Sequence, residues 1–394
     1  MVNVHPLAWA VAVTGMSLFC CLWMEKMKTT RSRQQIPHVV HVNGTRGKST
    51  VCRLIDAGAR AGGYRVMTKT TGTAACIRMP DGKEHSLIRF GRPSIREQSR
   101  VLWEAASQNV QVLVVECMAI DPLLQAFSQE KILQGNIGVI TNVRRDHVDQ
   151  MGGSLQAAAK AMAGIIPEKG ILVTGETNYK HLFQSVCSQR QTEFRQATGL
   201  PLRMCGKTVP LPPEEIEENW SLAVDACQAL GIDAMVALEG MRTYHKDPGA
   251  YTVTRRNNHA GAVFPVLNFL AVNDPDSMTR ILKEEGIRKI MDQRPVVFVL
   301  AGRRDRMERL ADLLYWASEW EDAMEELWVL GHGAGLVRRL YRKSGGDDKK
   351  IMEGQWIKEM DSRPELPGIL FFGNTGGSGE EVTESLKGWP IADE

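Results

Sequence analysis

The sequence predicts an α/β fold in three parts: a membrane-spanning helix at the N-terminus, a central domain built on a mainly parallel sheet, and a smaller C-terminal α/β domain. Three observations predict it. Short β-branched runs alternate with longer helix-like stretches, the signature of parallel strands with crossover helices. This alternation occurs in two sets, separated by the proline-rich acidic stretch VPLPPEEIEEN at 209 to 219 and by a proline and glycine break near His245 to Ala250. The segment from Leu7 to Met24, about 18 residues, carries no charge, which is close to the shortest helix that crosses a bilayer.

That first element is read as an anchor. Its basic residues, Lys26, Lys28, Arg31 and Arg33, follow the apolar run, whereas a cleavable signal places them before it. By the positive-inside rule the chain after Met24 stays on the cytoplasmic side. The expected parts are residues 1–34 as anchor and basic linker, 35–250 as the central domain and 251–394 as the C-terminal domain. In the central domain the strand candidates are HVVHV (38 to 42), VQVLVVE (110 to 116), NIGVITN (136 to 142) and GILVT (170 to 174). In the C-terminal domain they are AVFPVLNF (262 to 269), VVFVLAG (296 to 302), LWVLGHG (327 to 333) and GILFFGN (368 to 374). Helices are expected on both faces of each sheet.

Composition narrows the class. With 43% hydrophobic and 24% charged residues and a formal charge of +2, the chain has the composition of an ordinary globular protein, and bulk charge argues neither for nor against nucleic acid; no nucleic-acid partner is expected. Its eight cysteines, at 20, 21, 52, 76, 117, 187, 205 and 227, form no CxxC pair. They suggest neither a zinc site nor a disulfide framework and are read as reduced thiols.

The chemistry-bearing stretch is HVNGTRGKSTV, His41 to Val51. Glycines between a strand and a helix let successive backbone N–H groups curl around phosphate oxygens, a lysine reaches the outer phosphates, and the next hydroxyl holds a cation. Gly44, Gly47, Lys48 and Ser49 supply these parts, with Asn43, Thr45, Arg46 and Thr50 completing the loop. The spacing is G-x-x-G-K-S, shorter than the common Walker loop, because Val42 stands five positions before Gly47. Glu116 ends the apolar strand VLVVE at the sheet edge where this loop opens, a position suited to holding magnesium. TNVRRDHVDQMG, Thr141 to Gly152, brings Asn142, Asp146, His147 and Asp149 to the end of another strand.

GTRGKST, ECMA and TNVRRDHVDQMG, in this order and at these separations, resemble the Mur ligase superfamily of ATP-dependent amide ligases. NGTRGKSTV, TKTTGT (68 to 73), VVECMAIDP (114 to 122), LLQAFSQEKILQGNIGVITNV and VNDPDS (272 to 277) resemble more closely the ligase subunit of poly-γ-glutamate synthase, the PgsB/CapB type. The resemblance implies a P-loop ATPase body with a Mur-ligase-like C-terminal domain, ATP and Mg²⁺ as cofactors, and γ-glutamyl amide formation through an acyl phosphate. It implies catalytic roles for Lys48, Glu116 and His147, and metal binding by Ser49, Glu116 and His147. Asn142, Asn273, Asp274 and Arg303 are then nucleotide contacts, the second-domain residues closing over the nucleotide. Thr71, Thr73, Arg144 and Arg306 are candidate contacts to substrate carboxylates, with Arg92, Arg96 and Arg145 as weaker ones. Glutamate and the growing polymer are the implied substrates, and a small integral-membrane subunit of the PgsC/CapC type the implied partner. Many Mur ligases use a modified lysine near the position of Lys160; it is not counted among the ligands here. GNTGGSGEE, Gly373 to Glu381, lacks the lysine and serine of a phosphate loop and is read as a tight βα turn. Two alternatives stand beside this reading: a cell-wall or folate ligase of the same superfamily, and a membrane-tethered ATPase that powers polymer export.

Overall fold

The computed structural model describes residues 6–71, 75–87, 93–144, 153–197, 217–246, 251–270, 272, 275–283, 285–293, 295–302, 307–374 and 377–392. The chain divides into two compact units; among the described residues the first ends at Lys246 and the second starts at Tyr251.

The first unit opens with helix α1 (Pro6–Gln34), followed by β1 (His38–Asn43), α2 (Lys48–Ala61), β2 (Val66–Thr70), β3 (Cys76–Arg78), β4 (Glu84–Ser86), α3 (Arg96–Ser107) and β5 (Val112–Glu116). It continues through α4 (Pro122–Phe127), a π-helical turn (Ser128–Leu133), β6 (Ile137–Ile140), α5 (Leu155–Met162), β7 (Ile171–Thr174), α6 (Lys180–Gln189), β8 (Glu193–Gln196), α7 (Glu217–Ala229) and α8 (Ala234–Met241). The eight strands form one sheet in the order β4-β3-β2-β5-β1-β6-β7-β8. All pairings are parallel except β2 with β3 and β3 with β4.

β1, β2, β5 and β6 are buried almost throughout, as their near-continuous apolar sequences require of parallel strands covered on both faces. β1 lies between β5 and β6, so the chain leaves the sheet centre in opposite directions. That reversal opens a crevice at the strands' C-terminal ends. On one face α7 and α8 approach α2 closely: a Cβ at Gly58 would fall 2.7 Å from Cys227 Sγ, and one at Gly240 would fall 2.7 Å from the Ala57 carbonyl.

Two features were not legible in the apolar pattern. The strands β3 and β4 are only three residues each, and ion pairs with a buried partner on α2 hold them to it. Arg53, 2% exposed, meets Glu84 at 2.7 Å, and Asp56, fully buried, bonds Arg60 (2.8 Å), Arg78 (3.2 Å) and Thr68 Oγ1 (2.8 Å). The hydrogen bonds it accepts from Arg53 hold the Glu84 carboxyl down to about 2. In addition, residues 25–34, expected as a basic linker, continue α1 without a break and pack on α3, where Thr29 Oγ1 accepts from Trp103 Nε1 at 3.1 Å. Arg96, a weak candidate for a substrate contact, instead pairs with Glu25 of α1.

The second unit has β9 (Thr252–Asn257), β10 (Val263–Phe269), α9 (Pro275–Leu282), α10 (Glu285–Gln293), β11 (Val296–Ala301), α11 (Met307–Glu319), β12 (Met324–Leu330), α12 (Ala334–Lys343), β13 (Ile351–Met352), α13 (Trp356–Ser362), β14 (Ile369–Gly373) and α14 (Ser378–Lys387). Its sheet order is β13-β12-β11-β14-β10-β9, parallel except for the edge strand β9. Trp316, Phe298 and Phe372 fill one face and Trp356, Trp389, Phe264 and Phe371 the other. The glycine turn after β14 begins at Gly373, whose φ of 114° and close approach to the Ala301 carbonyl admit no side chain.

His41 is fully buried on β1. Its Nδ1 lies 2.9 Å from Gln129 Oε1 of the π-helical turn, and burial lowers its pKa to about 4 despite that bond, with Lys69 pushing it the same way. An unfolded imidazole takes up a proton near 6.5. The unfolded chain therefore binds more protons between these values, and this contribution to stability is full above about pH 6.5 and lost as the pH falls toward 4. Urea unfolding of the full chain should show a loss of about 2 kcal/mol from this group between pH 7 and pH 5. His41→Asn should flatten that dependence; an unchanged slope in the variant would show that another group carries it.

Candidate functional site

The parallel register aligns the ends of four strands. Val42 of β1 stands opposite Glu116 of β5, Asn43 opposite Ile140 of β6, and Lys69 of β2 opposite Val115. The loop 44–47, Glu116, Thr71 and the segment after β6 thus meet at one edge, although up to about a hundred residues separate them along the chain.

The loop is formed by positive-φ glycines and by bonds from the segment after β6. Gly44 has φ 133° and Gly47 φ 79°, conformations open to glycine and strained for other residues. Thr45 N donates to the Asn142 carbonyl (2.9 Å), Arg46 N to Asn142 Oδ1 (3.1 Å), and Asn142 Nδ2 and Thr141 Oγ1 both donate to the Arg46 carbonyl (3.1 and 2.6 Å). Arg144 N donates to Thr45 Oγ1 at 2.9 Å. Asn43, 4% exposed, donates to Gln125 of α4 and accepts from Gly44 N, both at 2.8 Å.

α2 starts at Lys48 with no side-chain cap, because Gly47 occupies the cap position. Its first-turn N–H groups have no intrahelical partner and carry the positive end of the helix dipole, an arrangement that receives an anion. Lys48 curls over the loop, its Nζ donating to the carbonyls of Gly44 (2.7 Å) and Thr45 (3.2 Å).

Glu116 is 3% exposed, and its Oε2 accepts from Ser49 Oγ (2.8 Å) and from the Thr71 backbone N–H (2.7 Å). A serine hydroxyl and a carboxylate in contact beside an anion-receiving helix terminus form a hard oxygen donor set. That set fits a magnesium-type cation shared with phosphate oxygens. The glycines keep this cradle clear: a Cβ on Gly47 would lie 2.5 Å from Asn219 Oδ1, and one on Gly44 would collide with Thr141 Oγ1.

Of the residues singled out in the sequence, Asn43 to Thr50, Thr71, Glu116, Asn142 and Arg144 come together here. Arg144 also meets Glu218 at 3.8 Å. Thr73, Arg92, Arg145, Asp146, His147, Asp149, Asn273, Asp274, Arg303 and Arg306 lie outside the described residues. Lys160 is exposed on α5.

Sequence reasoning missed the supports. Asn219, in the first turn of α7, backs Gly47. Glu176, 6% exposed, accepts from Val143 N at 2.8 Å and so fixes the segment after β6. Lys69, fully buried at the end of β2, meets Glu97 at 3.3 Å beneath the site. Only a charge inside an otherwise strand-like run marked Lys69; nothing local marked the other two.

Residues 42–194 match the family model described as the Mur ligase middle domain, and 253–388 the one described as the poly-gamma-glutamate synthase CapB C-terminal domain. The fold is shared with solved structures such as E. coli FolC in complex with DHPP and ADP, at a TM-score of 0.65, 16% identity and 92% coverage of each chain. Fold, matched domains and loop define the class: this is an ATP-dependent ligase of the Mur type. The capsule biosynthesis protein CapB of Bacillus anthracis is 37% identical over 378 residues, covering 93% of this chain and 79% of that one. PGA synthase CapB of Bacillus subtilis is 30% identical over 382 residues, covering 93% and 95%. The chain belongs to the CapB family of poly-γ-glutamate synthase proteins.

Gly47→Ala should destabilise the first unit by about 1–3 kcal/mol through its positive φ and the contact with Asn219. ATP with a divalent cation should raise the melting temperature of the parent chain and leave that of the variant unchanged. Adding Asn219→Ala should recover part of the stability, which differential scanning calorimetry would read; no recovery would mean that the backbone conformation alone carries the cost.

Proposed function

We propose that this chain makes γ-glutamyl amide bonds at the expense of ATP, extending poly-γ-glutamate at the inner face of a membrane. The observation that carries the reading is the meeting of the uncapped, glycine-led start of α2 with Glu116 and Ser49, in a chain of the CapB family.

In this reading the first-turn N–H groups of α2 and the amides of the loop hold the polyphosphate, and Lys48 turns from the loop carbonyls to its outer phosphates. Ser49 and Glu116, with His147, would hold Mg²⁺, which when bound offsets negative charge on the phosphates. A γ-carboxylate oxygen of the acceptor attacks the terminal phosphorus of ATP; the bond to the bridging oxygen breaks and ADP leaves. The amine of an incoming glutamate then attacks the acyl carbon, loses a proton, and phosphate departs with the cleaved C–O bond. Both steps bring anions together, so the chain's task is to neutralise and position them. Arg144 and Arg306 suit carboxylate binding; the resemblance assigns Thr71 and Thr73 to the substrate and Asn142, Asn273, Asp274 and Arg303 to the nucleotide.

The apolar part of α1 is long enough to cross a bilayer, and it would tether the catalytic body to the cytoplasmic face beside a small integral-membrane subunit. Full-length protein in lipid nanodiscs with ATP, Mg²⁺ and glutamate should release ADP only when glutamate is present and build an isopeptide-linked, protease-resistant product. Lys48→Ala and Glu116→Ala should each lower that rate by about 10²-fold or more with an unchanged circular dichroism spectrum. ATPase activity indifferent to amino acids would overturn the proposal in favour of an export motor.

A further inference from the structure

The direction in which α1 joins the first unit sets which edge of that unit lies next to the membrane. Glu25 pairs with Arg96, the first residue of α3, and Lys28 and Thr29 meet Trp103 farther along the same helix. α1 and α3 therefore run in the same direction. Near its end, Arg33 donates to the carbonyls of Ile36 (2.6 Å) and Gln134 (3.0 Å), at the start of β1 and before β6. The beginning of α3 lies at the strands' C-terminal edge, where Glu97 meets Lys69, and its end lies at the opposite edge, where Arg65 Nε donates to the Gln108 carbonyl at 2.6 Å. Followed back from Glu25, α1 thus leaves the unit past the edge that carries Gly44–Ser49, Thr71 and Glu116.

The apolar segment begins at once. Met24 is its last residue and Glu25 is level with the start of α3, so the end of the apolar helix and the site edge lie at the same height. From Leu7 to Met24 the helix rises about 27 Å, close to a bilayer's hydrocarbon thickness. Lys26, Lys28 and Arg31, just beyond it, suit an anionic headgroup layer.

A second apolar surface lies at that edge. α4 follows β5 and turns Gln125 inward to Asn43, at the end of β1. Its outward residues are unusually bare: Leu123 is 80% exposed, Phe127 50% and Leu124 44%. Three large apolar side chains on a six-residue helix, capped by Asp121, form a patch of the kind that enters a headgroup layer.

We infer that α4 and the apolar segment of α1 together seat the catalytic edge of the first unit against a lipid bilayer. The inference rests on the anchoring stated above. It makes the membrane-facing edge of this unit the one where the amide bond forms, so a growing polyanion emerges beside the bilayer and not into open cytoplasm.

The test uses the full chain in vesicles of phosphatidylcholine and phosphatidylglycerol, with Cys20, Cys21 and Cys205 changed to serine. The cysteines at 52, 76, 117, 187 and 227 are buried. An environment-sensitive fluorophore is attached at Leu124→Cys or, as the opposite-edge control, at Ser107→Cys. A quencher carried on lipid headgroups should remove about half of the emission at 124 and little at 107. Equal quenching at both positions, stronger quenching at 107, or none at 124 in protein that floats with the vesicles would overturn the orientation and leave the anchor intact. Protein that does not float would remove the anchor, and this inference with it, whatever its ligase activity.

Discussion

One carboxylate joins the pieces of chain on which the site depends. Oε2 of Glu116 accepts from Ser49 of the helix after β1 and from the backbone of Thr71 after β2, so three strand ends are held by a single acceptor. A nearly buried charge is tolerated only when its lone pairs are occupied. Here the groups that occupy them also stand beside the uncapped start of α2, so one set of bonds serves both stability and the proposed chemistry.

The surrounding structure brings that carboxylate to its donors and keeps the space open. Parallel pairing of β1 with β5 and β6 aligns the strand ends, and buried polar residues just beneath them, His41 with Gln129 and Lys69 with Glu97, lock the helices to the sheet. Polar groups are expensive to bury, and their bonds require particular geometry where apolar packing would accept several. The antiparallel hairpin β3–β4 is attached by ion pairs to α2, the same helix that presents Lys48 and Ser49. Attachment of the sheet edge and aim of the site are therefore coupled through one element.

The continuous α1 extends this coupling outward. Because its polar half packs along α3, the direction of its apolar half is determined by the fold of the first unit. A flexible linker would have left that direction open. The contacts that prevent it are ordinary ones: an ion pair at Glu25, a tryptophan hydrogen bond at Thr29 and a lysine over the Trp103 ring.

Much of this was legible beforehand. Apolar runs located β1, β5, β6 and β7, and the main strands of the second unit, because buried parallel strands must be apolar on both faces. The glycine spacing, Lys48, Ser49 and Glu116 were legible because this chemistry permits few residue types. The supports were not: Asn219, Glu176 and Gln125 are ordinary polar residues whose partners lie tens to more than a hundred positions away. The short strands β3 and β4 carry too few apolar residues to announce themselves, and the basic stretch after Met24 reads as a linker until α3 is beside it. By itself the sequence determined which side chains could do the chemistry and which segments must be buried. Only the tertiary structure decided which of them meet and how α1 runs relative to the site edge, since both depend on non-local strand and helix pairings that no local pattern encodes.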